Sequence, residues 1–77
     1  MRMYCISDNI ETAVGLKTTG IQTSVAQTKE ESDMQIEQVL KEKNIGILIV
    51  TDKIYDLSKV KLDEIKQKLK TPLVVKI

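Results

Sequence analysis

Ile45-Gly46-Ile47-Leu48-Ile49-Val50 is the longest aliphatic run in the chain, and its reading decides the fold. It carries no polar side chain and is mostly β-branched, the pattern of a strand covered on both faces. Such a strand belongs at the centre of a parallel sheet with helices on either side.

Upstream, Thr28-Lys29-Glu30-Glu31 fits a capping box, in which the threonine hydroxyl accepts from the third helical amide and the glutamate reaches back. A helix is expected to begin near Lys29 and to end near Lys43-Asn44. Ile36, Val39 and Leu40 form its apolar face, with Glu37 and Lys41 as an i,i+4 pair on the outside. Met34 lies about 160° from Ile36 at 100° per residue, so it is expected to face outward, as a candidate partner contact.

Further upstream, Ser7 to Ile21 reads SDNIETAVGLKTTGI. Arg2 to Ser7 alternates loosely, as a strand, and meets Asp8-Asn9, either of which could cap a helix over about Asn9 to Thr18. Ile10, Ala13, Val14 and the stem of Lys17 are expected on its inner face, with Gly20 as the stop. Gly15 falls mid-helix, where glycine costs about 1 kcal/mol relative to alanine. Its presence suggests close packing by the sheet or by another protein, so Gly15 is a second candidate contact. Ile21 to Val25 makes a short strand.

Downstream, the step from Val60 to Leu62 breaks the helical period that Leu62, Ile65 and Leu69 keep. A turn at 52–57 and a helix near 59–70 are expected. Thr71-Pro72 stops that helix, because proline disfavours helical geometry in the residue before it, and Leu73-Val74-Val75 begins a fourth strand. The order is βαβαβαβ. We expect one α/β domain over residues 1–77, a small open parallel sheet of four strands in the order 2-1-3-4 with right-handed crossovers and helices on both faces.

Seventy-seven residues with 42% hydrophobic and 30% charged side chains suit one small soluble domain, not a disordered tail. Twelve basic against eleven acidic residues leave a net charge of +1, too balanced for a nucleic-acid binder that neutralises phosphates. No run approaches the ~20 apolar residues of a membrane span, and the start lacks a signal-peptide core. A single cysteine, Cys5, suits a reducing compartment, and the lack of histidine argues against a zinc site. No cofactor is expected.

Loops at the carboxyl ends of parallel strands are the usual ligand sites, and Asp8 and Asp52 fall there. Both are explained by helix N-termini, where a carboxylate contributes about 0.3–1 kcal/mol. The alternative is a degenerate receiver-type signalling domain with Asp52 as phosphoacceptor, although Ser7 stands where a receiver has a second acid. Gly15 and Gly20 do not form a dinucleotide fingerprint, which needs its glycines directly after the strand. Cys5 lies inside a strand without a base, and Ser7, Thr51 and Thr71 have no histidine partner, so nucleophilic catalysis lacks machinery. The lysines at 59, 61, 66, 68 and 70 alternate with Asp63, Glu64 and Gln67, as on a solvated helix face.

Three segments in order, MYCISDNIETAVGLKTTGI from Met3, EKNIGILIVTDKI from Glu42 and TPLVVKI from Thr71, resemble the F subunits of the bacterial and archaeal V-type ATPases. The resemblance covers nearly all of the chain. It implies an alternating α/β domain without catalytic residues, a place in the central stalk, binding to the coiled-coil D subunit, and rotation within the A/B catalytic hexamer. It also implies a cytoplasmic location peripheral to the membrane. Thr18-Thr19 departs from the apolar pair usual in that family. The family's further helical segment after this point lies beyond Ile77, so its regulatory role is not carried over.

Overall fold

The computed structural model describes residues 2–77. Along the chain it places β1 (Arg2–Ser7), α1 (Ile10–Lys17), β2 (Gln22–Val25), α2 (Lys29–Lys41), β3 (Ile45–Val50), α3 (Asp52–Leu57), α4 (Lys59–Lys68) and β4 (Leu73–Lys76). The strands form one parallel sheet in the order β2-β1-β3-β4, as the alternation predicts.

β3 lies between β1 and β4 and is the most deeply enclosed strand, with only Ile47 half-exposed. The register against β1 slips between Arg2 and Met3: Arg2 pairs with Ile45, and Met3 with Ile47. After the slip the two strands run in step, so same-face rows cross the sheet. Ile6, Leu48, Val50 and Val74 meet Ile36, Val39, Ile54, Leu62 and Ile65 in one core cluster, between the sheet and the layer of α2, α3 and α4. α1 packs alone on the opposite face, over β1 and β2.

The helix ends follow their local chemistry. The Thr28 hydroxyl accepts from the Glu31 amide at 3.2 Å, and the Glu31 carboxylate accepts from the Gln27 amide at 3.1 Å, one residue earlier than the capping box predicts. α1 is capped by Asn9, whose side chain accepts from the Thr12 amide. At its other end the hydroxyls of Thr18 and Thr19 donate to the carbonyls of Gly15 and Leu16, and the Leu16 carbonyl also accepts from the amides of Thr19 and Ile21, so the last turn is tied off locally. Gly20 then takes φ +88°, the left-handed conformation that stops the helix.

The structure corrects four expectations. The segment at 52–57 is a helical turn and a half, not a simple turn, because Ile54 and Leu57 pack inward against the core. Glu37 does not pair with Lys41; it accepts from Lys61 on α4, which reaches across the helix layer. Of the four residues expected on the inner face of α1, Ala13 is buried, whereas Ile10 is 62% exposed, Val14 56% exposed and Lys17 exposed, and Leu16 is half-buried in their place. With only two strands beneath it, α1 has no room to bury a wider face. Finally, no part of the sheet packs close to Gly15, because a Cβ built there meets nothing within 4 Å among the described residues.

Candidate functional site: an apolar sheet face and its surroundings

Two rows cross the sheet on the face that α1 shares. One runs Met3, Ile47, Leu73; the next runs Cys5, Ile49, Val75. In the second row Cys5 and Ile49 are buried, whereas the first row is open at Met3 as well. Burial without a charged neighbour pushes the Cys5 thiol above its ordinary pKa, so it is a packing group and not a poised nucleophile. Toward β4 the cover ends. Leu73 is 60% exposed, Ile77 55%, Met3 and Val75 somewhat less, and Ile47 is half-buried. A parallel sheet normally has both faces covered, so this open aliphatic face beside an edge strand is the candidate interaction surface.

At the carboxyl ends of the strands, Asp8 and Asp52 enter separate contacts. Asp8 does not cap α1; its carboxylate accepts from the Thr51 hydroxyl at 2.6 Å, tying the end of β1 to the end of β3. Asp52 is the first residue of α3, largely exposed, 3.8 Å from the Lys76 ammonium at the end of β4. Among the described residues, no three His, Cys, Asp or Glu side chains come together as a metal-holding group.

The contacts suggested by sequence lie on different helices. Met34 on α2 is 59% exposed and faces outward as its helical position predicts, on the opposite side of the sheet from α1. Gly15 is exposed on α1. Because its Cβ would sit in open space, Gly15→Ala is expected to raise the stability of the isolated chain by about 0.4–1 kcal/mol, measured by urea unfolding. The gain comes from a less flexible unfolded chain.

Sequence reasoning missed a buried hydroxyl relay between α2 and the α3–α4 junction. Ser58 and Ser32 are both buried, with their hydroxyl oxygens 2.6 Å apart. Ser58 donates to one oxygen of Asp33 at 2.6 Å, and the Lys29 ammonium donates to the other at 2.6 Å. Since Ser58 has given its proton to Asp33, Ser32 must be the donor between the two serines. The hydrogen bond from Lys29, and after it that from Ser58, holds the Asp33 carboxyl below its ordinary pKa. Nearby, the Lys61 ammonium is held above its ordinary pKa, first by its hydrogen bond to Glu37. Of the other lysines of α4, Lys66 sits 4.8 Å above the Tyr55 ring. No sequence signal announces the relay, because its two serines are far apart along the chain.

Among the described residues, no helix is long and apolar enough to cross a membrane. No curated protein matches the chain. Among solved structures it is similar to the F subunit of the V-type ATP synthase of Archaeoglobus fulgidus, with a TM-score of 0.80 at 23% identity, over 99% of this chain and 95% of that one. At that identity the likeness concerns the fold. The sequence profile of the ATP synthase (F/14-kDa) subunits matches residues 3–77, almost the entire chain, and the expected resemblance is thereby established. The chain belongs to the family of ATP synthase (F/14-kDa) subunits, and its four-stranded α/β domain has the fold of a V-type ATP synthase F subunit.

Proposed function

We propose that the chain is a non-catalytic central-stalk component of a V-type rotary ATPase or ATP synthase. In this reading it binds the coiled-coil D subunit, turns with it inside the A/B hexamer, and leaves ATP chemistry to the A/B interfaces. It works in the cytoplasm, held at the membrane by the assembly and not by insertion. The observation that carries the reading is the uncovered aliphatic face at Leu73, Val75 and Ile77 in a member of a multi-subunit ATP synthase family. A free-standing domain gains nothing from such a face, whereas a component of a larger assembly uses it for docking. Gly15, where the chain's own packing requires no glycine, and the exposed Met34 are proposed as further contact points.

The chain mixed with the D subunit of the same source is expected to co-elute as a one-to-one complex. Separate elution at micromolar concentrations would overturn the reading. Incubation with acetyl phosphate and magnesium addresses the receiver alternative: a rotor component leaves Asp52 unmodified.

A further inference from the structure

Residues 52–68 carry the pattern of one helix and form two. Ile54, Ser58, Leu62 and Ile65, spaced four, four and three apart, are all buried, so one straight helix would present the same stripe to the core. The segment holds neither proline nor glycine. The break falls at a single residue, Ser58, with φ −120° and ψ 33°. On either side of it the helical ladder is intact: the Ser58 amide donates to the Ile54 carbonyl at 3.0 Å, and the Ser58 carbonyl accepts from the Leu62 amide at 2.9 Å. Among the described residues, no backbone bond joins the amides of Lys59, Val60 and Lys61 to the carbonyls of Tyr55, Asp56 and Leu57. The bend therefore forgoes three bonds of a continuous helix.

A sharp bend without proline or glycine has its cause in a side chain that disturbs the ladder. The helix starts at Asn9 and Thr28 are ordinary caps, with extended backbones, ψ 121° and 162°, and side chains that accept from the helix. Ser58 is not such a cap. Its hydroxyl makes no bond to α4 and is turned inward, donating to Asp33 and accepting from Ser32, while Lys29 holds the other Asp33 oxygen. We infer that the Ser32–Ser58–Asp33 relay is a conformational latch: closed, it bends the chain at Ser58 and keeps α3 and α4 apart; open, residues 52–68 join into one helix. The closed state also sets Lys61 against Glu37 of α2, a contact that a change in the direction of α4 removes. A charge-assisted bond from Ser58 and a neutral one from Ser32 stand against three backbone bonds, sums of the same order, so loss of the Asp33 acceptor is enough to open the latch. The latch is independent of the stalk reading.

The test is solution NMR on the intact chain, as wild type, Ser58→Ala and Asp33→Ala. Carbon-13 shifts report ψ at residue 58, Overhauser contacts between the Hα of residues 55–57 and the amides three positions on report helical continuity, and residual dipolar couplings give the angle between the two helix axes. Wild type is expected to be bent. In both variants ψ at residue 58 should move from 33° to about −42°, the contacts across the junction should appear, and one axis should fit the couplings of residues 52–68, with the shifts of β3 unchanged. The Asp33 side chain is 26% exposed, so its replacement leaves the core filled, and Ser58 itself stays in place. Straightening in Ser58→Ala alone would trace to alanine's helix propensity and overturn the inference. A bend that persists in both variants would show that core packing fixes the junction, and a wild type already straight in solution would remove the latch altogether.

Discussion

Leu48→Ala is expected to destabilise the chain by about 2–5 kcal/mol, the largest effect of any single truncation considered for this fold. Leu48 is fully buried at the middle of β3, pairing with Tyr4 of β1 on one side and Val74 of β4 on the other. Its side chain enters the core cluster beneath the helices. Truncation removes the transfer free energy of three carbons and leaves a cavity that three strands and their covering helices cannot close together. A domain of this size holds roughly 0.05–0.15 kcal/mol per residue, so the loss takes a large share of the total. Urea unfolding should show a lower midpoint with an unchanged slope. A loss below about 1 kcal/mol would mean that the helix layer collapses onto the gap. Leu73→Ala, on the open sheet face, should cost far less, because that side chain is already in water.

The second large effect is expected from Ser58→Ala, at about 1–3 kcal/mol. The alanine leaves Ser32 with a buried hydroxyl and no acceptor, and Asp33 with one donor fewer. The effect carries a pH signature. Asp33 is held below its ordinary 3.8, first by Lys29 and then by Ser58. A carboxyl whose folded value lies below its unfolded value contributes stability that is complete above the unfolded value and is lost as pH falls through the folded one. The gap between wild type and Ser58→Ala should therefore be widest at neutral pH and should narrow in acid, as Asp33 takes up its proton. A gap that stays constant from neutral pH down past the Asp33 titration would show that Ser58 acts through packing alone. Because the relay joins α2 to the α3–α4 junction, hydrogen exchange in the variant should rise first along those helices and last in β3.

Several elements were legible because a local rule and the tertiary environment agree. Ile45–Val50 is a short, mostly β-branched apolar run between turn residues, so it read as a strand, and all of it but Ile47 is buried. Thr28 and Glu31 announced the start of α2 because a capping box closes within four residues. Met34 pointed outward for the reason that put Ile36 and Val39 inward. α3 was less legible: Ile54 and Leu57 three residues apart suit a turn as well as a helix, and the core beneath them decides.

The inner face of α1 could not be read in the same way. Ile10, Ala13, Val14 and Leu16 spread apolar groups around most of the helix, and docking on β1 and β2 buried the side through Ala13 and left Ile10 and Val14 in water. Glu37 had a local partner in Lys41 and a distant one in Lys61, and the distant one is paired once α4 lies beside α2. The same limit applies to the candidate site. Leu73, Val75 and Ile77 look in sequence like any closing strand, and only the placement of helices on each face shows that they are left bare.

The alternation of elements, the strand order, the central strand and the family could all be read from the residues alone. Each depends on patterns that span only a few residues or on the direction in which crossovers turn. Which face of α1 is buried, how Ser32 and Ser58 carry a proton chain to Asp33, and which part of the sheet stands open were settled by packing in three dimensions. Those features arise from groups distant in sequence that meet only when helices settle on a twisted sheet, and no local period records which of the possible meetings takes place.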